Sequence, residues 1–320
     1  MPSATLRHTE GDSSDDDEPF GFDQEVLAEL FPALVAAPFK PTSYRIALDA
    51  GDREQHSSAI ASAAKSLQVN GFAMLEATDG TGLVDSKLCS ECAASAGQRL
   101  QELLSLVEDT GKDPSCEFKF AELCHRQRAR YDMLVRHNTG ATTSAWAALR
   151  AEAEKWALPV MCSAGLTDSC LILQGCVISL PGCTDQQLHS DGEQPGFINI
   201  FVPLVDVTLE MGPTEFVPGS VGEEVSSIGL AVESAEVQAA RKPVAPTLAK
   251  GSVLLFDYRV KHRGLANQSQ AQRPVAYLTR TCSGKQRDEV NFPAALPSLL
   301  GSEDEMCHLD CERVRDWKLN

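Results

Sequence analysis

Positive charge is scarce in this sequence. Its 28 lysines and arginines face 45 aspartates and glutamates, for a formal charge of −17. A chain this acidic is poorly suited to nucleic-acid phosphates or an anionic membrane surface, both of which need positive potential. Long apolar runs are missing as well: nothing approaches the roughly 20 apolar residues of a bilayer span. The opening MPSATLRHTEGDSS lacks the apolar core of a secretory signal, and the closing DWKLN is not the peroxisomal Ser-Lys-Leu address. These absences lead to the expectation of a cytoplasmic protein with no nucleic-acid or membrane partner. There its 11 cysteines are mostly reduced thiols. Several catalytic signatures are also absent. There is no Gly-x-Ser-x-Gly elbow and no Gly-x-x-x-x-Gly-Lys-Ser/Thr phosphate loop, and DGTGLVD has only two of the glycines a dinucleotide fold needs.

What is present suits a globular chain: 320 residues, 43% hydrophobic and 23% charged, enough for one large domain or two ordinary ones. Residues 1–22 carry EGDSSDDDE and read as an acidic disordered tail. Residues 23–165 read as a mainly helical part packed on the core. FDQEVLAELFPALVAAP is a short helical pattern ended by prolines, and REQHSSAIASAAKSLQVN is a helix stopped at Asn70-Gly71 before a strand from Phe72. Two longer patterns follow, TGLVDSKLCSECAASAGQRLQELLSLVED and TTSAWAALRAEAEKWALPVM. From 166 to 285 the text changes to short apolar segments: CLILQGCVISL, FINIFVPLVDV, TEFVPGS, GSVLLFDY and RPVAYLTRTC. They are separated by Gly, Pro and Asp and interrupted by a polar insertion at 221–248. Successive short strands of this kind suggest a sandwich or jelly roll. Residues 286–320 form a C-terminal extension.

Two cysteine groups have zinc-like spacing, Cys89/Cys92 and Cys307-His308/Cys311. The first pair lies in a helical pattern, where cysteines serve as small packing residues.

The stretch QQLHSDG, 186–192, places His189 and Asp191 two apart. On a strand that spacing puts both side chains on one face. One His-x-Asp is weak: His308-Leu309-Asp310 repeats it in a charged segment without strand character. The first copy has company. GSVLLFDY leads into RVKHRGLANQ, so His262 arrives at the end of a second apolar strand. Two histidines and one carboxylate form the ligand set of non-haem Fe(II) oxygenases, whose remaining positions stay open for a co-substrate and O2. Gln187 shares the strand face of His189 and is a candidate partner for its ring.

Arg273 opens RPVAYLTR, and its planar guanidinium suits the free carboxylate of 2-oxoglutarate. Arg280, an odd seven residues on, is expected on the other face of the strand, and Arg263, directly after His262, is expected to point elsewhere. Arg126, Arg128 and Arg130 in CHRQRARYDM either hold an anionic substrate or form a solvated face paired with nearby acids. Taken singly, His189 could be a core histidine and Asp191 a turn residue before Gly192.

The stretches SLPGCTDQQLHSDG, NIFVPLVDVTLEMGPTEFVPGS, GSVLLFDYRVKHRGLANQS and RPVAYLTR, in that order, resemble the phytanoyl-CoA dioxygenase (PhyH) family of Fe(II)/2-oxoglutarate oxygenases. LQVNGFAML is similar to the family's N-terminal strand entry. The resemblance implies an α+β fold, a cupin-like double-stranded β-helix (jelly roll) with flanking N-terminal helices. It implies iron held by His189, Asp191 and His262, 2-oxoglutarate held by Arg273, O2 as oxidant and ascorbate as a supporting reductant. The implied reaction hydroxylates a C–H bond of a small molecule while 2-oxoglutarate becomes succinate and CO2. Related halogenases have a small residue in place of the carboxylate, so Asp191 implies hydroxylation. Val221 departs from a family histidine after the PGS turn, at a position that is not a ligand. The other reading is a non-catalytic cupin-like protein that binds a metal or ligand.

Overall fold

The computed structural model describes residues 42–49, 53–135, 141–221, 241–282, 288, 290–293 and 296–300. The acidic tail, the pattern at 22–38, residues 222–240 of the insertion and the second cysteine group lie outside the described residues. The chain divides after Pro38, and everything described belongs to the unit Phe39–Asn320.

Among the described residues three helices form where the apolar periodicity placed them. The first, α1, spans Arg53–Asn70 and stops where Gly71 takes a positive φ of 85°, the left-handed conformation that ends many helices. The second, α2, spans Ser86–Asp109, and the Asp85 side chain accepts from the Leu88 amide at 2.8 Å, capping its first turn. Its buried stripe is Cys89, Cys92, Ala96, Leu100, Leu103 and Val107, spaced by threes and fours as a one-sided helix requires. Cys89 and Cys92 are therefore packing residues, and burial pushes their thiols up to about 11 and about 12. The third, α3, spans Ala141–Ser163. No described helix is long and apolar enough to cross a membrane.

Ten strands follow in chain order: β1 (Arg45–Leu48), β2 (Phe72–Ala77), β3 (Leu123–Gln127), β4 (Arg130–Leu134), β5 (Cys170–Ser179), β6 (Phe197–Pro203), β7 (Thr214–Phe216), β8 (Val253–Asp257), β9 (His262–Gly264) and β10 (Arg273–Thr281). Eight of them form one sheet in the order β1-β2-β8-β6-β10-β5-β4-β3, and β7 pairs with β9 in a second. Within the large sheet β1 and β2 run parallel, and the other neighbours run antiparallel. The result is a mixed α/β fold.

Alternation divides the large sheet's two faces between two tasks. Ile198 and Ile200 of β6, Val253 and Leu255 of β8, and Ala276 and Leu278 of β10 pack in the same core as the helices. Leu254 and Phe256 of β8 point the other way, where Phe216 of β7 stacks 4.6 Å from Phe72 and meets Phe256 edge-on at 5.3 Å. The small sheet thus covers part of the face opposite the helices.

The sequence reading placed one strand, β2, in the helical part; the structure has four there. The β3–β4 hairpin was missed because its turn carries no Gly, Asn or Asp. Ala129 supplies the left-handed residue instead, with φ 55°, and such a residue gives no turn signal.

Candidate metal centre and anion pocket

His189 and His262 meet because their chain segments pair. His189 N donates to His262 O at 3.0 Å, and His262 N donates to His189 O at 2.8 Å. The pairing continues on both sides, with Gln186 N on Gly264 O at 2.9 Å and Asp191 N on Tyr258 O at 2.8 Å. The segment thus runs alongside β9, with a bridge at His189 and a bend at Asp191, and forms no continuous strand. Asp191 Oδ1 lies 3.6 Å from His262 Nε2 and 3.8 Å from His189 Nε2. The three side chains offer ligand atoms all within 4.8 Å of one another, and among the described residues they are the one such group.

The remaining atoms prepare these three for a cation. His189 Nδ1 faces Gln187 O at 2.8 Å, and His262 Nδ1 faces Val260 O at 3.0 Å. A carbonyl can only accept, so each ring carries its proton on Nδ1 and turns a bare Nε2 inward. Gln187 makes this contact through its main chain, not through the side chain the sequence reading had in view. Burial holds His262 below the ordinary histidine range and keeps it neutral, as a ligand must be. Asn199 Nδ2 donates to Asp191 Oδ2 at 2.7 Å, which leaves Oδ1 for the centre. Thr279 Oγ1 donates to Asn199 Oδ1 at 2.7 Å and fixes that amide in turn. Asn199 escaped the sequence reading, yet it left a signal: it is the polar residue inside the apolar run FINIFVP.

The centre opens on a cavity of about 410 Å³. Arg273, Val275, Tyr277 and Thr279, alternate residues of β10, all line it, together with Asn199 and Phe201 of β6 and Leu173 and Val177 of β5. Gly175 of β5 leaves room for the Tyr277 ring, since a Cβ there would lie 2.5 Å from it. Arg273 is 4% exposed, and its Nη2 donates to Ser179 Oγ at 2.9 Å. Its Nε and Nη1 are buried without a hydrogen-bond partner. Burial, with Arg130 nearby, lowers its pKa to about 9, so it stays charged at neutral pH. An unanswered buried guanidinium is costly, and a carboxylate would answer it.

The other arginines have separate tasks. Arg280 turns to the helix side, pairing with Glu154 of α3 and with Ser169, and Arg263 pairs with Glu215 at 2.6 Å. The cluster Arg126, Arg128 and Arg130 is not brought to one place. Arg128 is exposed. Arg130 is buried and held by Ser179 Oγ at 3.0 Å, Gly264 O at 3.0 Å and Leu265 O at 2.7 Å. Arg126 alone of the three lines the cavity.

Two facing sheets around a His-Asp-His group, with a buried arginine in the same cavity, define the class. Residues 154–275, which hold all four of these side chains, match the family described as Phytanoyl-CoA dioxygenase (PhyH). Over that span the chain is similar to the PhyH family. Among solved structures it is similar to the non-heme alpha ketoglutarate dependent epimerase SnoN from nogalamycin biosynthesis, at 16% identity and a TM-score of 0.53, over 78% of this chain and 94% of that one. The same epimerase in complex with Fe3+, alpha ketoglutarate and nogalamycin RO matches at 17% identity, with the same TM-score of 0.53 and the same coverage, 78% and 94%. At such identity the likeness establishes a shared fold.

Proposed function

We propose that the protein is an Fe(II)- and 2-oxoglutarate-dependent dioxygenase whose core is a double-stranded β-helix. The small sheet, extended by the His189–His262 and Phe216–Val244 bridges, lies across the cavity from the large one, which supports that reading of the core. His189, Asp191 and His262 hold the iron through Nε2, Oδ1 and Nε2. Two neutral imidazoles and one carboxylate on one side suit Fe(II) and leave its other side for co-substrate. Arg273 takes the far carboxylate of 2-oxoglutarate on Nε and Nη1, the two donors the protein itself leaves unanswered. That orphaned guanidinium, in one cavity with a metal-ready triad, is the observation that carries the proposal.

Bound together, iron and 2-oxoglutarate supply O2-dependent oxidation of a C–H bond, with succinate and CO2 released. The chain orients its ligands through the carbonyls of Gln187 and Val260 and through Asn199. The apolar side chains Leu173, Val177 and Phe201 line the remaining wall. Hydroxylation is the outcome proposed for this chain. Epimerisation, the activity named for SnoN, is the second.

The test is succinate release from 2-oxoglutarate with Fe(II), ascorbate and O2, followed by product mass. Hydroxylation adds an oxygen to the substrate, whereas epimerisation leaves its mass unchanged. His189→Ala is expected to abolish turnover. Metal retention without any succinate would favour the cupin-like binding protein.

A further inference from the structure

The family's description names an acyl-CoA, whereas the walls of this cavity are built for something else. Arg126 comes to the cavity from β3 already engaged. Its Nε and Nη2 lie 3.0 and 2.7 Å from Asp132 Oδ2, Nη2 also approaches Asn291 O at 3.4 Å, and its guanidinium sits 5.1 Å above the Phe292 ring. The second oxygen of Asp132 accepts from Tyr277 Oη at 2.8 Å. Burial, the largest cause, leaves the Asp132 carboxyl above its ordinary range although Arg126 and Tyr277 hold it down. Donors converge on both of its oxygens, Arg126 on Oδ2 and Tyr277 on Oδ1, which is the geometry of an ion pair. Arg126 is thus a rigid donor whose charge is already matched. Its Nη1 has no hydrogen-bond partner among the described residues and is not a buried atom.

The neighbouring groups set the sign of the field. Among the described residues, the charged side chains lining the cavity are Arg126 and Arg273 against Asp132, Asp191 and Asp288. A divalent ion and dianionic 2-oxoglutarate cancel, so among the described residues the face left for substrate is net acidic, within a chain of net charge −17. Asp288 accepts from Tyr258 Oη at 3.0 Å and from Asn291 Nδ2 at 3.0 Å, so it is held at the wall as an acceptor. Apolar surface completes the site: Leu173, Val177, Phe201 and Phe292 line it. The cavity, about 410 Å³ including the co-substrate's share, is at the small end of ligand pockets.

We propose that this site takes a compact uncharged substrate with an apolar face and a hydroxyl or carbonyl oxygen received by Arg126 Nη1, and that it rejects acyl-CoA thioesters. A phosphate brought to Arg126 would meet the Asp132 carboxylate behind it, and the guanidinium has no charge left to offset that repulsion. A neutral oxygen gains the hydrogen bond without that cost. This inference rests on the iron and 2-oxoglutarate reading, and the experiment separates the two.

The full chain is first titrated by calorimetry with Mn(II) and then with 2-oxoglutarate. Absence of either binding event overturns the iron reading and this inference with it. The loaded protein is then titrated with palmitoyl-CoA. No heat is expected, and saturable binding overturns the substrate class while leaving the iron reading intact. In parallel, succinate release is screened with Fe(II) against one pool of CoA thioesters and carboxylic acids and one pool of uncharged alcohols, ketones and glycosides. Stimulation confined to the uncharged pool is expected. Stimulation by the anionic pool, or by neither, counts against the proposal. For a responding uncharged compound, Arg126→Met is expected to raise KM about tenfold or more, the loss of one hydrogen bond from a charged donor. Arg126→Lys, which keeps the charge and loses the fork, is expected to recover part of it. An unchanged KM in both variants removes Arg126 from the assignment.

Discussion

Asn199 and Arg273 show how single side chains give this site its selectivity. Asn199 donates to the Asp191 oxygen that faces away from the histidines. Without it Asp191 is free to turn, and the loss of such an outer partner lowers metal affinity about 10- to 100-fold. Asn199→Leu is accordingly expected to weaken Mn(II) binding by that factor in calorimetry while the protein stays folded by circular dichroism. Arg273 was found in the sequence by its place opening a strand. Its isolation from any carboxylate was not visible there, because Ser179 and Arg130 come to it from 94 residues away and from a hairpin the sequence reading missed. Arg273→Met is expected to cost roughly 2–5 kcal/mol of 2-oxoglutarate binding, seen as a raised KM for 2-oxoglutarate. Metal affinity should hold.

At the scale of elements, β10 separates chemistry from packing by alternation alone. Arg273, Val275, Tyr277 and Thr279 face the cavity, while Ala276, Leu278 and Arg280 face the helices. The strand shifts register between Thr279 and Arg280, yet Arg280 still reaches Glu154 on α3. Two arginines in one strand therefore have opposite duties. Arg280→Met is expected to remove the ion pair with Glu154 and the hydrogen bonds to Ser169, and to destabilise the fold by about 3–5 kcal/mol. Urea denaturation measures the loss, and the KM for 2-oxoglutarate should stay near the parent's. A reversed pattern, with Arg280 governing the KM and Arg273 the stability, would exchange the two faces and defeat the argument from alternation. The β3–β4 hairpin was the element least legible in the sequence, since Ala129 hides its turn.

For the whole molecule, burying the Arg273 guanidinium is a cost that a bound carboxylate would offset. Burial lowers Arg273 from the ordinary arginine range to about 9. A base depressed on folding costs stability at every pH below its folded pKa, and the cost fades as pH rises above that value. A bound carboxylate needs the charged form. 2-Oxoglutarate with Mn(II) is therefore expected to raise the melting temperature at neutral pH and to raise it less as pH climbs past about 9. At a hundredfold excess over Kd the stabilisation is about 2.7 kcal/mol, and scanning calorimetry at pH 7 and pH 10 checks both magnitude and sign. Stabilisation that grows with pH would put the carboxylate somewhere other than Arg273.

What the sequence determined by itself is the three described helices, most of the strands after residue 166 and the four residues on which function is argued. Period-two and helical patterns are local, and His189, Asp191, His262 and Arg273 each sit at a fixed place relative to an apolar strand. What only the tertiary structure decided is which polar groups meet across long separations. Asp132 answers Arg126 although Arg273 goes unanswered, Asn199 holds Asp191, and Cys89 and Cys92 face a core rather than a metal. Pairing of this kind depends on strand register and on the order of strands in a sheet. Both are settled by the burial of whole faces against one another, and a linear pattern carries no record of the partner.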